Sequence, residues 1–240
     1  MSSQPELHAP SMQLPEMELV NWQFEPGVST VILQSQWLCQ QTYQWPKRLL
    51  DIAVSSFALV FAVPLVGVIA IAIKATSPGP VFYKQRRLGR SGQEFWCYKL
   101  RTMVADAEQQ MILREDLRRK FEKDYKLEDD PRVTPFGKFL RRTSLDELPQ
   151  FWNVLAGDMS LIGPRPIVQS ELIKYGRYAK KLLSVVPGLS GLWQTCGRSD
   201  TTYEMRIQLD MLYIDHKSLW LDLTLLCRTL VTVIERSGAR

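Results

Sequence analysis

In the stretch RRTSLDELPQFWNVLAGDMSLIGPRP, two adjacent carboxylates, Asp146 and Glu147, stand between a pair of arginines and an arginine flanked by prolines. Ser144 followed three residues later by Glu147 matches a capping box, and Pro149 fits only near a helix start. Both signals place the acids in or beside a first helical turn, where free backbone N–H groups and the positive helix end favour negative charge. With Arg141 and Arg142 close by, an aspartate held this way is expected to stay ionised at neutral pH. That suits a nucleophile or a metal ligand better than a general acid. The same spacing also describes an ordinary structural cap, and the acids alone do not separate the two readings.

The arginines add a second signal. Pro164 and Pro166 restrict the backbone around Arg165 and aim its guanidinium, a group that meets phosphate in a planar, two-pronged way. Arg198, in TCGRSD, is a second candidate of this kind. Carboxylates beside phosphate-seeking arginines point to Mg2+, which takes one or two carboxylates and completes its shell with phosphate and water. Taken singly, each arginine reads as a solvated or salt-bridging side chain. Neither a P-loop nor a GxGxxG pattern occurs.

Other chemistries are poorly supplied. His8 and His216 are the only histidines, and neither accompanies a Ser or Cys motif. Cys39, Cys97, Cys196 and Cys227 are too scattered for a zinc site or a disulfide framework, so buried reduced thiols are expected. The 240 residues suit one domain with an appendage, and 45% hydrophobic with 23% charged residues is an ordinary globular composition. The net charge of +5 fits anionic lipid, phosphorylated substrates or nucleic acid. Nothing before Lys47 is Lys or Arg, so the basic excess lies entirely beyond it.

The elements that must position these residues begin with a membrane signal. Residues 1–46 read as an acidic, Pro- and Gln-containing appendage of unknown role, without the basic start of a signal peptide. Leu49 to Ile73 is an apolar run, about 37 Å long as a straight helix against a hydrocarbon core of about 30 Å. Pro64 falls near its middle, leaving two halves too short to cross alone. Lys47 and Arg48 flank one end, and Lys74, Lys84, Arg86 and Arg87 the other, a pattern that favours both ends on the cytoplasmic side. A helix that enters, breaks at Pro64 and returns satisfies this; a kinked span does too, and the residues leave both open. VFYKQRRLG and EFWCYKLRTM around RSGQ predict a β-hairpin, Ala105 to Lys126 a charged helix, and KFLRR a short helix leading into the acids. VVPGLSGLWQTCGR has strand and turn character. The apolar tail SLWLDLTLLCRTLVTVIER predicts a helix, either packed in the core or lying in the lipid interface.

Taken in order, KRLLDIAVSSFALVFAVPLVGVIAIAIKATSPGPVFYKQRRLG, KLRTM, LRRTSLDELPQFWNVLAGDMSLIGPRP, PGLSGLWQTCGR and the final RSGA resemble the bacterial sugar transferases, the small monotopic phosphoglycosyl transferases. The resemblance runs from about Lys47 to the C-terminus. It implies an α+β, mainly helical fold: a re-entrant membrane helix over 47–75, a β-hairpin, and amphipathic interfacial helices around a small cytosolic catalytic domain over 47–240. It implies transfer of a sugar-1-phosphate, glucose or galactose first, from a UDP-sugar to undecaprenyl phosphate at the cytoplasmic face of the bacterial inner membrane. This would be the first membrane step of exopolysaccharide, capsule or O-antigen assembly, with UMP released and no nucleic acid involved. Within it, Asp146 maps onto the nucleophile and Glu147 onto the Mg2+ ligand, while Arg141, Arg165, Arg198 and Asp222 map onto substrate-binding positions. One departure concerns the membrane break, where relatives often carry Ser-Pro and this chain has Val63-Pro64.

Two other functions use the same features. A membrane-anchored scaffold would have little need for the acid pair, GPRP and the Gly-Arg turn together. A Mg2+-dependent hydrolase of lipid-linked phosphates would turn over without an acceptor, and product analysis separates it. No oligomeric state is legible in the residues.

Overall fold

A computed structural model of the chain describes residues 43–116, 118, 119, 127, 130–196 and 202–234. The apolar run forms helix α1, Gln44–Thr76, long and apolar enough to cross a membrane. Phe57, Val60, Phe61, Val63, Val68 and Ile71 along it are more than half exposed, a contiguous apolar surface that water does not favour. In place of an interruption at Pro64, α1 is helical throughout, with Pro64 inside it. Proline deletes one backbone donor, and a helix whose neighbouring turns keep their own bonds runs through it.

Both ends of α1 are gripped by the rest of the chain. Near its start, Arg48 donates to the carbonyls of Val154 and Leu155 at 2.6 and 2.7 Å. Asp51 accepts from the Ser160 hydroxyl and the Leu161 N–H at 3.0 and 2.9 Å. At the far end, Ile69 and Ile73 are buried with Leu100 and Leu140, and Arg101 donates to the carbonyls of Ser77 and Pro78 just beyond the helix.

The expected hairpin is present. Strands β1 (Phe82–Leu88) and β2 (Glu94–Leu100) pair antiparallel, Phe82 opposite Leu100 and Leu88 opposite Glu94. Their turn is made by Ser91 and Gly92, both at positive φ. Period-two alternation puts Gln85 and Arg87 of β1 on one face with Phe95, Cys97 and Lys99 of β2.

Helix α2 covers Ala107–Leu113, residues 115, 116, 118 and 119 are helical again, and 117 and 120–126 lie outside the described residues. Helix α3, Pro135–Arg142, starts from Thr134, whose hydroxyl accepts from the Gly137 N–H at 2.9 Å with proline in the first turn. Gly137 lies so close to the Thr102 backbone that a Cβ would overlap it. A 3-10 turn over Leu145–Glu147 then leads into α4, Gln150–Ala156, which ends on Gly157 at φ 96°.

Beyond α4 come β3 (Ser160–Ile162), α5 (Leu172–Tyr175), α6 (Ala179–Leu182) and β4 (Gly188–Ser190). β4 pairs parallel with β3, Ser160 opposite Gly188 and Ile162 opposite Ser190. A Cβ on Gly188 would overlap the Gly163 backbone, so glycine permits the GPRP segment to lie against this strand pair. The segment after β4 is helical where turn was expected: α7 covers Leu192–Cys196. Two longer helices follow, α8 (Tyr203–His216) and α9 (Leu219–Ile234).

The main core gathers Val154, Ile162, Leu192, Leu221 and Leu225 from α4, β3, α7 and α9, with Met159 from the loop between α4 and β3. Each such side chain contributes about 1.5–3 kcal/mol relative to exposure. On α9, Leu221 and Leu225 are core, whereas Trp220, Leu230 and Val231 are half exposed. Cys97 is buried as expected, Cys227 is exposed against expectation, and both are free thiols; nothing is described for Cys39.

Candidate active site

Asp146 lies in the 3-10 turn over Leu145–Glu147, only 7% exposed. The acids stand where the sequence placed them, just before a helix, but not through the expected capping box. Ser144 adopts a left-handed backbone at φ 57° and its side chain caps nothing. The Glu147 carboxylate instead accepts from the Lys99 ammonium at 2.6 Å. The turn joins α3, whose Leu140 packs under the far end of α1, to α4, whose last carbonyls hold Arg48 at the near end. The acid pair is thus bracketed by the two grips on the apolar helix.

Burial pushes the Asp146 carboxyl up to about 6, against the pull of Lys99 and Arg141, with Glu147 adding to the rise. Desolvation outweighs the favourable charges here, so the carboxyl rises where a helix start alone would lower it. Around neutral pH the group is still mostly ionised, and a poorly hydrated carboxylate is a stronger nucleophile than a solvated one. Arg141 is half-buried, donates to the Thr102 hydroxyl at 2.9 Å and carries attractive interactions with Asp146, Asp130 and Glu147. Arg142 is exposed. A buried ion pair, Arg132 with Asp130 at 2.6 Å, stands behind Arg141.

The GPRP arginine belongs to a neighbouring cluster. Pro164 and Pro166 are buried on either side of the half-buried Arg165. Its guanidinium stands 5.8 Å from the centre of the Trp193 ring, and that of Arg206 stands 5.0 Å from the same ring. Arg87 of the hairpin ties this segment down, donating to the Pro166 carbonyl at 2.9 Å and to Glu171 at 3.2 Å. Cys97 feels the charges of Lys99, Arg87, Glu147 and Arg165, so the hairpin face runs from the acid pair to the GPRP cluster.

Asp222 is in neither cluster. It is 1% exposed, and its carboxylate is taken up by Lys47 at 2.6 Å, Tyr43 at 2.6 Å and Tyr213 at 2.8 Å. With these three partners the Asp222 carboxylate joins α1 to α9. Arg198 lies outside the described residues. His216 bonds the Leu212 carbonyl in its own helix at 3.0 Å.

Sequence reasoning missed Lys99, Arg87, Arg206 and Trp193. Lys99 was findable, since strand alternation from the buried Cys97 turns it toward the acids; Arg206 and Trp193 meet only through tertiary packing. For Mg2+, the half-exposed Glu147 beside Asp146 offers hard oxygen donors open to a phosphate and to water, which fits its usual ligation. Among the described residues no cluster of three or more His, Cys, Asp or Glu side chains could hold a metal by itself.

The model of the bacterial sugar transferase family matches residues 42–236. The chain is 44% identical over 209 residues to the undecaprenyl-phosphate galactose phosphotransferase of Salmonella typhimurium, covering 84% of this chain and 43% of that protein. It is 38% identical to the UDP-glucose:undecaprenyl-phosphate glucose-1-phosphate transferase of Xanthomonas campestris, covering 80% of this chain and 40% of that one. Against the exopolysaccharide production protein ExoY of Rhizobium meliloti it is 40% identical, over 80% of this chain and 87% of the relative. The chain thus spans less than half of some relatives and most of another, and on the strength of the match across its described body it belongs to the bacterial sugar transferase family.

Proposed function

We propose that this protein transfers a hexose-1-phosphate, glucose or galactose, from a UDP-sugar to undecaprenyl phosphate, beginning an exopolysaccharide, capsule or O-antigen chain. The observation that carries the reading is the buried Asp146, set between Lys99 and Arg141 with Glu147 beside it. The names of its relatives supply both substrates.

In the first step the Asp146 carboxylate attacks the β-phosphorus, forming an acyl-phosphate bond as the bond to the UMP oxygen breaks and UMP leaves with that electron pair. Lys99 and Arg141 offset the charge that develops on the phosphoryl oxygens. In the second step a phosphate oxygen of undecaprenyl phosphate attacks the same phosphorus and Asp146 leaves as carboxylate, ready for another cycle. Glu147, with Asp146, would hold Mg2+, which when bound would neutralise the diphosphate. Arg165 is placed to orient a phosphate, its direction fixed by the buried prolines.

Membrane placement follows the same reasoning. Both ends of the apolar helix are held by one folded body, through Arg48 and Asp51 at one end and Ile73 and Arg101 beyond the other. We infer that α1, helical throughout, bends at Pro64, where one backbone donor is missing, so that it enters and returns from one leaflet with the acid pair at the headgroup level of the inner membrane's cytoplasmic face. There a soluble donor and a lipid acceptor both arrive. The test is UMP release from UDP-glucose and UDP-galactose by membranes carrying the protein. Release that requires undecaprenyl phosphate for turnover supports the transferase; steady release without acceptor assigns a hydrolase instead.

A further inference from the structure

Lys99 and Arg141 both act on the Asp146 carboxylate, and one short segment serves them both. Strand β2 carries Lys99, and just past its end Thr102, 6% exposed, lies across the start of α3. Thr134, Gly137 and Arg141 follow the i, i+3, i+7 spacing that shares one helix face. All three meet Thr102. The Thr134 N–H and hydroxyl donate to its carbonyl at 3.0 and 3.3 Å. A Cβ on Gly137 would overlap that same carbonyl, so glycine admits the segment. Arg141 Nε donates to the Thr102 hydroxyl at 2.9 Å. The backbone of Thr102 thus fixes where the segment lies, and its side chain is spent separately on the arginine.

A long arginine side chain samples many rotamers, and its guanidinium plane turns with them. A fixed acceptor on Nε holds that plane and leaves the four N–H bonds of the two Nη groups for another partner. Among the described residues neither Nη group donates a hydrogen bond, although the guanidinium attracts Asp146 and Glu147. Phosphoryl oxygens arriving at Asp146 are the acceptors that such a fork fits. Resting on the function proposed above, we infer that Thr102 is a positioning residue: its hydroxyl holds Arg141 so that the Nη groups meet the phosphoryl group as Asp146 attacks it. The contribution belongs to the transition state, where charge on the phosphoryl oxygens grows, rather than to binding of the UDP-sugar.

The test is a double-substitution cycle on kcat and KM for UMP release, with the purified full chain in detergent and undecaprenyl phosphate present. The donor is whichever of UDP-glucose and UDP-galactose the wild type turns over. Thr102→Val keeps the shape and the backbone contacts but removes the acceptor. It should lower kcat about 10-fold, with KM within about 2-fold and the melting temperature unchanged. Thr102→Ser restores the hydroxyl and should recover most of that loss. In an Arg141→Ala background, itself slower still, Thr102→Val should cost nothing further. Thr102→Ala carries the same cycle if the valine protein does not fold. A normal kcat without the hydroxyl, no recovery by serine, or a full additional loss in the Arg141→Ala background overturns the inference while the transferase reading stands. Absence of transfer by the wild type removes that reading and the inference with it.

Discussion

Lys47 and Asp222, 175 residues apart in sequence, meet at 2.6 Å in a site where Asp222 is 1% exposed and both Tyr43 and Tyr213 donate to the same carboxylate. The pair fastens the start of the apolar helix to α9. Removing one partner of a buried ion pair leaves the other desolvated and alone, which costs about 3–5 kcal/mol. Asp222→Ala is expected to lower the thermal midpoint of the detergent-solubilised protein sharply, with Asp222→Asn intermediate. Whatever fraction remains folded should show an unchanged KM for the UDP-sugar. A raised KM at wild-type stability would return Asp222 to the substrate site.

For Asp146, activity and stability should move in opposite directions. Its carboxyl is raised from 3.8 to about 6 in the folded protein, chiefly by burial. The native state therefore holds that proton more tightly than the unfolded chain does. The resulting stability is present below about pH 4 and is lost as pH rises through 6, on the order of 2–3 kcal/mol by linkage. Asp146→Asn carries no such charge and should be more stable than wild type at pH 7–8, with the difference vanishing near pH 4. Melting curves across this range, in chelator, read it out. Turnover of the same variant should fall by at least about 10³-fold for want of a nucleophile. Near-normal turnover would sink the covalent mechanism.

Glu147 tests the metal. Chelation should abolish activity and Mg2+ restore it, while Glu147→Gln should need far more Mg2+ or stay inactive. Full activity in chelator would show that the Lys99–Glu147 contact at 2.6 Å is the whole role of this carboxylate.

Topology offers a fourth test. Because α1 is continuous through Pro64 and gripped at both ends, Pro64→Leu is expected to leave the N-terminus cytoplasmic. Loosening the near grip with Arg48→Ala and Asp51→Ala should expose it in some molecules. A reporter cysteine at position 5 in a Cys39→Ser background, probed with an impermeant maleimide after outer-membrane permeabilisation, distinguishes them. Labelling with the natural Arg48, Asp51 and Pro64 in place would mean that α1 spans the membrane.

The sequence by itself determined whatever depends on short-range regularities. The apolar run, the hairpin around RSGQ, the helix before the acids and the position of the acids just ahead of another helix were all legible, because periodicity and turn residues act over a few positions. So were the prolines that hold Arg165. Tertiary structure decided what burial and long-range pairing decide. Asp146 reads as a carboxylate stabilised by a helix end, yet desolvation pushes it up to about 6, since local sequence does not show how much protein covers a side chain. Ser144 and Glu147 have capping-box spacing, but a left-handed Ser144 and a lysine from the opposite hairpin strand divert the glutamate. Asp222 joins α1 to α9, because Lys47, Tyr43 and Tyr213 converge on it only once the chain is folded. Pro64 gives a local reason for a break, and the continuous helix shows that one missing donor does not end a helix whose neighbouring turns are intact and whose ends are held by other parts of the fold.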